Sequence, residues 1–157
     1  MALVAALFLV LFAAHVRRIV LAAEGPPGYL AAVFFAGAII LATAIAVGEA
    51  LHGVLAFDPN KLTPAAAEAI NALDRQFFFP TALGFGVFLL GAGLAIVRLH
   101  LLPAWLGWIG ILLALLAFTP AGYLAFIAAL AWILAVSVLL YFRPPENVPR
   151  ANPWLRS

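Results

Sequence analysis

The chain has 157 residues, of which 68 % are hydrophobic and only 9 % are charged. A water-soluble domain of this size cannot hide that much apolar surface, so the composition predicts an integral membrane protein whose solvent is lipid. The lack of cysteine excludes disulfides, thiolate nucleophiles and cysteine-based metal sites, and a formal charge of +2 without a binding motif gives no reason to expect a nucleic-acid partner.

Five apolar segments follow one another along the chain and predict an all-α bundle of five transmembrane helices. The expected crossings are residues 2–23, 29–57, 77–98, 103–118 and 122–142, with a Thr-Pro-Ala-Gly turn between the last two. In the first segment the basic residues follow the apolar run, which is the reverse of a signal peptide and indicates a retained crossing. The second segment has 29 residues, about 43 Å as a helix, and must tilt or project beyond the hydrocarbon.

A more polar stretch between the second and third crossings predicts a short amphipathic helix at residues 63–76. Thr63 suits the N-cap position, and Pro64 suits the first helical position. One face of this helix is apolar and the rest is polar, the pattern of a helix that lies on the membrane surface. A connector folded onto its own bundle is the preferred interpretation, and a binding element is the alternative.

The basic residues predict the orientation of the chain. Five crossings place six of the eight Lys and Arg residues on one side and leave Lys61 and Arg75 on the other. The positive-inside rule then puts the N-terminus outside and the C-terminus in the cytoplasm. The residues expected to hold the helices at the inner surface are Arg17, Arg18, Trp105, Trp108, Arg143 and Trp154. The chain thus divides into a transmembrane domain at residues 1–143 and a proline-rich cytoplasmic tail at residues 144–157.

Glu49 and His52 are the ionisable residues well inside an apolar segment, and their spacing of three puts them on one helix face. Such a pair inside a membrane is a candidate proton or ligand site. The second segment has length to spare, so the pair is expected nearer the outer surface than the bilayer centre. The preferred interpretation is structural, with Glu49 neutral or hydrogen-bonded to His52 at a helix contact, and a proton or ligand site is the alternative.

His15 and His100 are expected at a similar depth near the inner surface, where two histidines are a candidate pair of haem ligands. Solvated histidines at the interface are the simpler interpretation, and no cofactor is predicted. No metal site is expected, since Glu49 and His52 supply two ligands and no facing helix offers another at that depth. The chain is not expected to be an enzyme, because no nucleophile, base and orienting group share one depth.

Small residues predict where helices approach closely. Alanines recur at every fourth position in the second segment, and glycines form two pairs seven apart in the third. These residues are Ala38, Ala42, Ala46, Ala50, Gly84, Gly86, Gly91 and Gly93. Packing of the two segments within one chain is the preferred interpretation, and self-association through the same surfaces is the alternative.

Three short motifs resemble an uncharacterised family of small bacterial polytopic membrane proteins. They are Leu73-Asp74 before the third crossing, residues 102–108 (LPAWLGW) opening the fourth, and residues 137–140 (SVLL) closing the fifth. The resemblance covers roughly residues 15–143 and implies a multi-pass protein of the bacterial cytoplasmic membrane. It implies no catalytic residue, and in that family more sequence precedes the first crossing than stands here.

The expected function is that of an accessory, assembly or scaffold subunit of a membrane complex, because the chain offers packing surfaces and little chemistry. The expected partners are the lipid bilayer and other membrane subunits or further copies of the chain. The alternative is a small transporter or proton pathway that uses Glu49 and His52. A water-filled cavity reaching Glu49 would favour transport, and a dry bundle with an exposed small-residue face would favour interaction.

Overall fold

The computed structural model describes residues 2–57, 62–119 and 121–142, and these residues form helices without a strand. The helices are α1 (Ala2–Glu24), α2 (Tyr29–Phe57), α3 (Pro64–Gln76), α4 (Phe78–Leu99), α5 (Ala104–Leu116) and α6 (Gly122–Phe142). The predicted all-α class is therefore confirmed. The predicted tail at residues 144–157 lies outside the described residues, as do Arg143 and Trp154.

Four helical stretches in the described part of the chain are long and apolar enough to cross a membrane. They are Ala2–Glu24, Tyr29–Phe57, Pro64–Leu99 and Gly122–Phe142. α5 is also apolar, but it has 13 residues, which make only about 20 Å of helix against about 30 Å of hydrocarbon. The segment predicted at residues 103–118 is thus a shorter helix than expected. A turn follows it, in which the Thr119 hydroxyl donates to Leu116 O at 2.7 Å.

α3 begins as the sequence predicts and runs directly into α4. Thr63 Oγ1 accepts a hydrogen bond from the Ala66 N–H at 3.3 Å, and Pro64 follows in the first turn. Only Phe77 separates α3 from α4, and its backbone stays right-handed helical, with φ −66° and ψ −10°. Pro80 in the first turn of α4 lacks the N–H that would complete the hydrogen-bond ladder across this junction. No loop therefore separates the polar helix from the apolar one.

A tight connection joins α1 to α2. Gly25 and Gly28 have φ values of 72° and 69°, which glycine adopts without a steric penalty. The Glu24 carboxylate accepts hydrogen bonds from the backbone N–H groups of Leu30 at 2.8 Å and Ala31 at 3.0 Å. It satisfies two amides that the first turn of α2 leaves without a helical partner, and its charge interacts favourably with the helix dipole.

α4 is the central helix and packs against α1, α2 and α5. Its antiparallel contact with α2 depends on glycine. A Cβ atom at Gly84 would collide with the backbone of Leu41, and one at Gly91 would lie 2.7 Å from Phe34 Cα. Gly37 of α2 meets the α4 backbone in the same way. The two backbones therefore touch along about two helical turns, as small residues permit in membrane helices.

A second set of glycines on α4 brings α5 close. A Cβ atom at Gly107 would lie 2.7 Å from Gly93 O, and Gly86 lies against the ring of Phe118. Because Gly93 faces the start of α5 and Gly86 faces its end, the two helices are antiparallel. Along α5 the chain therefore returns toward the end of the bundle at which α4 begins.

A buried tryptophan holds α6 against α5. The Trp132 Nε1–H donates to Leu106 O at 2.8 Å, which gives the indole N–H the partner it needs away from water. Gly110 leaves room for the ring, since a Cβ atom there would lie 2.8 Å from Trp132 Cζ2. Phe126 of α6 also stacks on Phe85 of α4, with 4.3 Å between ring centroids. These contacts fix α6 beside both helices.

Replacing Gly84 by alanine is expected to lower the free energy of unfolding by about 1–3 kcal/mol, because the added Cβ forces α2 and α4 apart. Gly48→Ala is the matched control, since a Cβ atom at Gly48 has open space around it. That change should leave stability unchanged or raise it by up to about 1 kcal/mol. Denaturation of both variants in mild detergent measures the difference, and equal stabilities would contradict the close backbone approach.

Candidate functional site

The C-terminal part of α2, which carries Glu49 and His52, extends past the start of α4. Leu41 faces Gly84, and Glu49 lies about 12 Å further along α2. By the same measure Phe78, the first residue of α4, lies only about 9 Å from Gly84. Glu49 and His52 are therefore at the end of the bundle, level with α3, and not in its middle.

The His52 ring contacts two acceptors through one nitrogen. Nδ1 lies 2.9 Å from Gly48 O and 3.2 Å from Asp74 Oδ1. Both partners accept hydrogen bonds, so the tautomer that suits this geometry carries its hydrogen on Nδ1. The His52 side chain is 68 % exposed, and that of Asp74 is 18 % exposed. The contact thus joins α2 to α3 at the surface of the molecule.

Asp74 is a partner that the sequence analysis missed. The antiparallel register that sets Leu41 opposite Gly84 continues outward and sets His52 opposite Asp74. The length of α2 in the sequence could have indicated this contact, because α2 is long enough to lie alongside both α3 and α4. The predicted His52 partner, Glu49, lies half-buried on α2. The structure thus adds an inter-helix carboxylate to the candidate site.

His15 and His100 are both exposed. His100 ends α4 in the left-handed conformation, with φ 52°, which makes it a cap of the helix. Among the described residues no group of three or more His, Cys, Asp or Glu side chains is arranged to hold a metal ion.

The predicted packing residues fall into three groups. Gly84 and Gly91 contact α2, whereas Gly86 and Gly93 contact α5. Ala38 and Ala42 of α2 are buried, Ala46 is half-buried and Ala50 is exposed. The glycines therefore serve two neighbouring helices, because residues two positions apart lie on different sides of a helix.

The predicted anchors lie at the surface where the structure describes them. Arg17, Arg18, Trp105 and Trp108 are exposed. The Arg17 guanidinium carbon lies 5.5 Å from the ring centroid of Phe35, close enough for a cation–π interaction between α1 and α2.

An apolar cleft lies between α1, α4 and α6. It is partly open to the surroundings of the bundle. The lining residues are Phe12, Val16, Ile19, Val20, Phe34, Phe88, Ala92, Ala95, Ile96, Leu101, Leu102, Trp132, Ile133, Val136 and Leu140. All of them are hydrophobic, and neither Glu49 nor His52 is among them.

Comparison of the chain with protein-family models, curated proteins and solved structures found no match. The resemblance to small bacterial membrane proteins consequently rests on the three sequence motifs alone.

Asp74→Asn is expected to speed amide hydrogen exchange in α3 by about two- to fivefold, because a side-chain hydrogen bond to a carboxylate at the surface contributes about 0.5–1 kcal/mol. Glu68→Gln is the matched control, since Glu68 is an exposed carboxylate on the same helix. Hydrogen exchange followed by mass spectrometry measures both variants. Identical protection of α3 in both would show that the contact with His52 does not hold α3 against α2.

Proposed function

We propose that this chain is a small multi-pass membrane protein that acts by interaction, as an accessory or assembly subunit without chemistry of its own. The observation that carries the proposal is the dryness of the bundle. Within residues 2–57, 62–119 and 121–142 no polar or charged side chain is buried. The cleft offers hydrophobic side chains only. Catalysis in the bundle interior and proton transfer through it both need polar groups positioned there, and interaction does not.

The exposed faces of the outer helices support the same proposal. Only 17 % of the most apolar window of α1 and 22 % of that of α6 are buried, against 44 % for α2. Large apolar side chains such as Leu7 and Leu134 are exposed on these faces. Since the small-residue surfaces of α2 and α4 are used within the chain, α1 and α6 are the faces left for a partner subunit or a second copy.

The proposed topology has five crossings, with the N-terminus outside and the C-terminus in the cytoplasm of a bacterium. The antiparallel contacts of α5 with α4 support a passage through the membrane at α5, although that helix is short. A locally thinned bilayer accommodates a short crossing at modest cost. α3 and the end of α2 then lie on the outer side. The segregation of six basic residues from Lys61 and Arg75 supports the orientation.

Single cysteines test this topology cleanly, because the chain has no cysteine of its own. A membrane-impermeant maleimide applied to intact cells should label Asn71→Cys in α3 and Tyr123→Cys at the start of α6. Tyr29→Cys at the start of α2 should react only after lysis. All three positions are exposed. Protection of Tyr123→Cys alone would mean that α5 does not cross, and labelling of Tyr29→Cys in intact cells would reverse the orientation.

Photo-crosslinking tests the interaction proposal. A photoreactive amino acid at Leu7 or Leu134, on the exposed faces of α1 and α6, should give a discrete protein adduct in the native membrane. The same amino acid at Leu89, which has 0 % exposure, is the control and should give none. If both exposed positions yield lipid adducts only, the chain does not act through these faces.

The alternative proton pathway makes the opposite prediction in proteoliposomes. A proton pathway requires that the unsubstituted protein conducts protons and that Glu49→Gln and His52→Ala do not. The proposed interaction role predicts no proton flux in the unsubstituted protein or in either variant.

A further inference from the structure

The cleft is an elongated space that follows the axis of the bundle. α1 and α6 do not pack closely on each other, and residues of α4 line the space between them. The lining spans residues 12–20 of α1, 88–96 of α4 and 132–140 of α6. Each of these stretches advances about 12 Å. α1, α4 and α6 run in the same direction, so the three stretches lie side by side.

We propose that this cleft binds one acyl chain of an anionic phospholipid, with the lipid phosphate at the end that carries Arg17 and Arg98. The lining has no hydrogen bond to offer, since the Trp132 N–H is already donated to Leu106 O. A polar ligand would lose its hydrogen bonds to water without replacement. Hydrocarbon is therefore the chemistry that the cleft accepts.

The charges at one end of the cleft favour an anionic headgroup. Arg17, whose guanidinium lies over the Phe35 ring, and Arg18 stand between the lining residues Val16 and Ile19 in the sequence. Arg98 stands between Ile96 and Leu101. These arginines are exposed, and long basic side chains reach along apolar surface to the headgroup region.

The carboxylate of Glu24, at the end of α1, is already held by backbone amides and forms no ion pair with these arginines among the described contacts. Both oxygens of the nearby Glu24 carboxylate accept hydrogen bonds from backbone amides of α2. Arginine binds phosphate well, and each basic residue near an anionic surface contributes favourably. This site goes beyond the proposed function, because it does not depend on whether a partner subunit exists.

Trp132 is a reporter built into the cleft, where it is 6 % exposed. In a full-length chain carrying Trp105→Phe, Trp108→Phe and Trp154→Phe, it is the sole tryptophan. The protein is placed in phosphatidylcholine vesicles that contain a small fraction of phosphatidylglycerol with brominated acyl chains. We expect Trp132 fluorescence to be quenched at lower mole fractions of brominated phosphatidylglycerol than of brominated phosphatidylcholine.

A pair of neighbouring substitutions on α6 locates the quenching. Val136→Phe fills the cleft and should abolish the preferential quenching. Ala135→Phe adds the same ring at an exposed position of the same helix and should preserve it. Quenching that survives in Val136→Phe, with helix content unchanged, would overturn the proposal, because the lipid would then approach Trp132 from elsewhere.

A second pair tests the headgroup without altering the packed interior. Arg98→Gln should weaken the apparent affinity for brominated phosphatidylglycerol about fivefold, the effect of removing one basic residue at an anionic lipid. Arg75→Gln removes an exposed arginine from α3 and should have no effect. The two arginine variants test the anionic-lipid site even if Val136→Phe fails to fold. Equal quenching by the two brominated lipids, or equal effects of the two arginine changes, would refute an anionic-lipid site.

Discussion

The contact between the backbones of α2 and α4 is the constraint on which the rest of the bundle depends. Lipid chains are as apolar as the side chains they surround, so helices in a membrane gain little from hiding hydrophobic surface and must associate through close packing. Gly84 and Gly91 provide that packing, because the α2 backbone occupies the space where their side chains would stand. Phe34 and Phe88 then pack beside the contact, with 4.8 Å between their ring centroids.

Once α4 is fixed against α2, its second glycine face determines where the remaining helices lie. Gly93 admits the start of α5, and α5 in turn presents Gly110 and the Leu106 carbonyl to Trp132 of α6. α1 is held from the other side by α2. Two helices attached to opposite neighbours of α4 leave a gap over its third face, and that gap is the apolar cleft. The cleft is thus a consequence of the order of packing.

The polar groups follow a different rule, since burial of a charge without a partner is costly. Glu24 and Asp74 lie near the ends of α1 and α3, where backbone amides or another side chain hydrogen-bond to them. Glu24 caps α2, and Asp74 contacts His52 where α2 extends past the start of α4. This separation of a dry interior from polar ends is the physical basis for proposing an interaction role over transport or catalysis.

The sequence by itself determined the all-α class, the helix limits to within a few residues and the cap at Thr63, because apolar runs, glycine, proline and capping residues act locally. It also predicted that Glu49 and His52 lie near one end of the bundle, from the surplus length of α2. Only the tertiary structure decided that Gly86 faces α5, that Asp74 meets His52, and that α1 and α6 leave a cleft between them. These features depend on which helix faces meet, and in a chain that is apolar all round, the pattern of side chains does not distinguish one face from another.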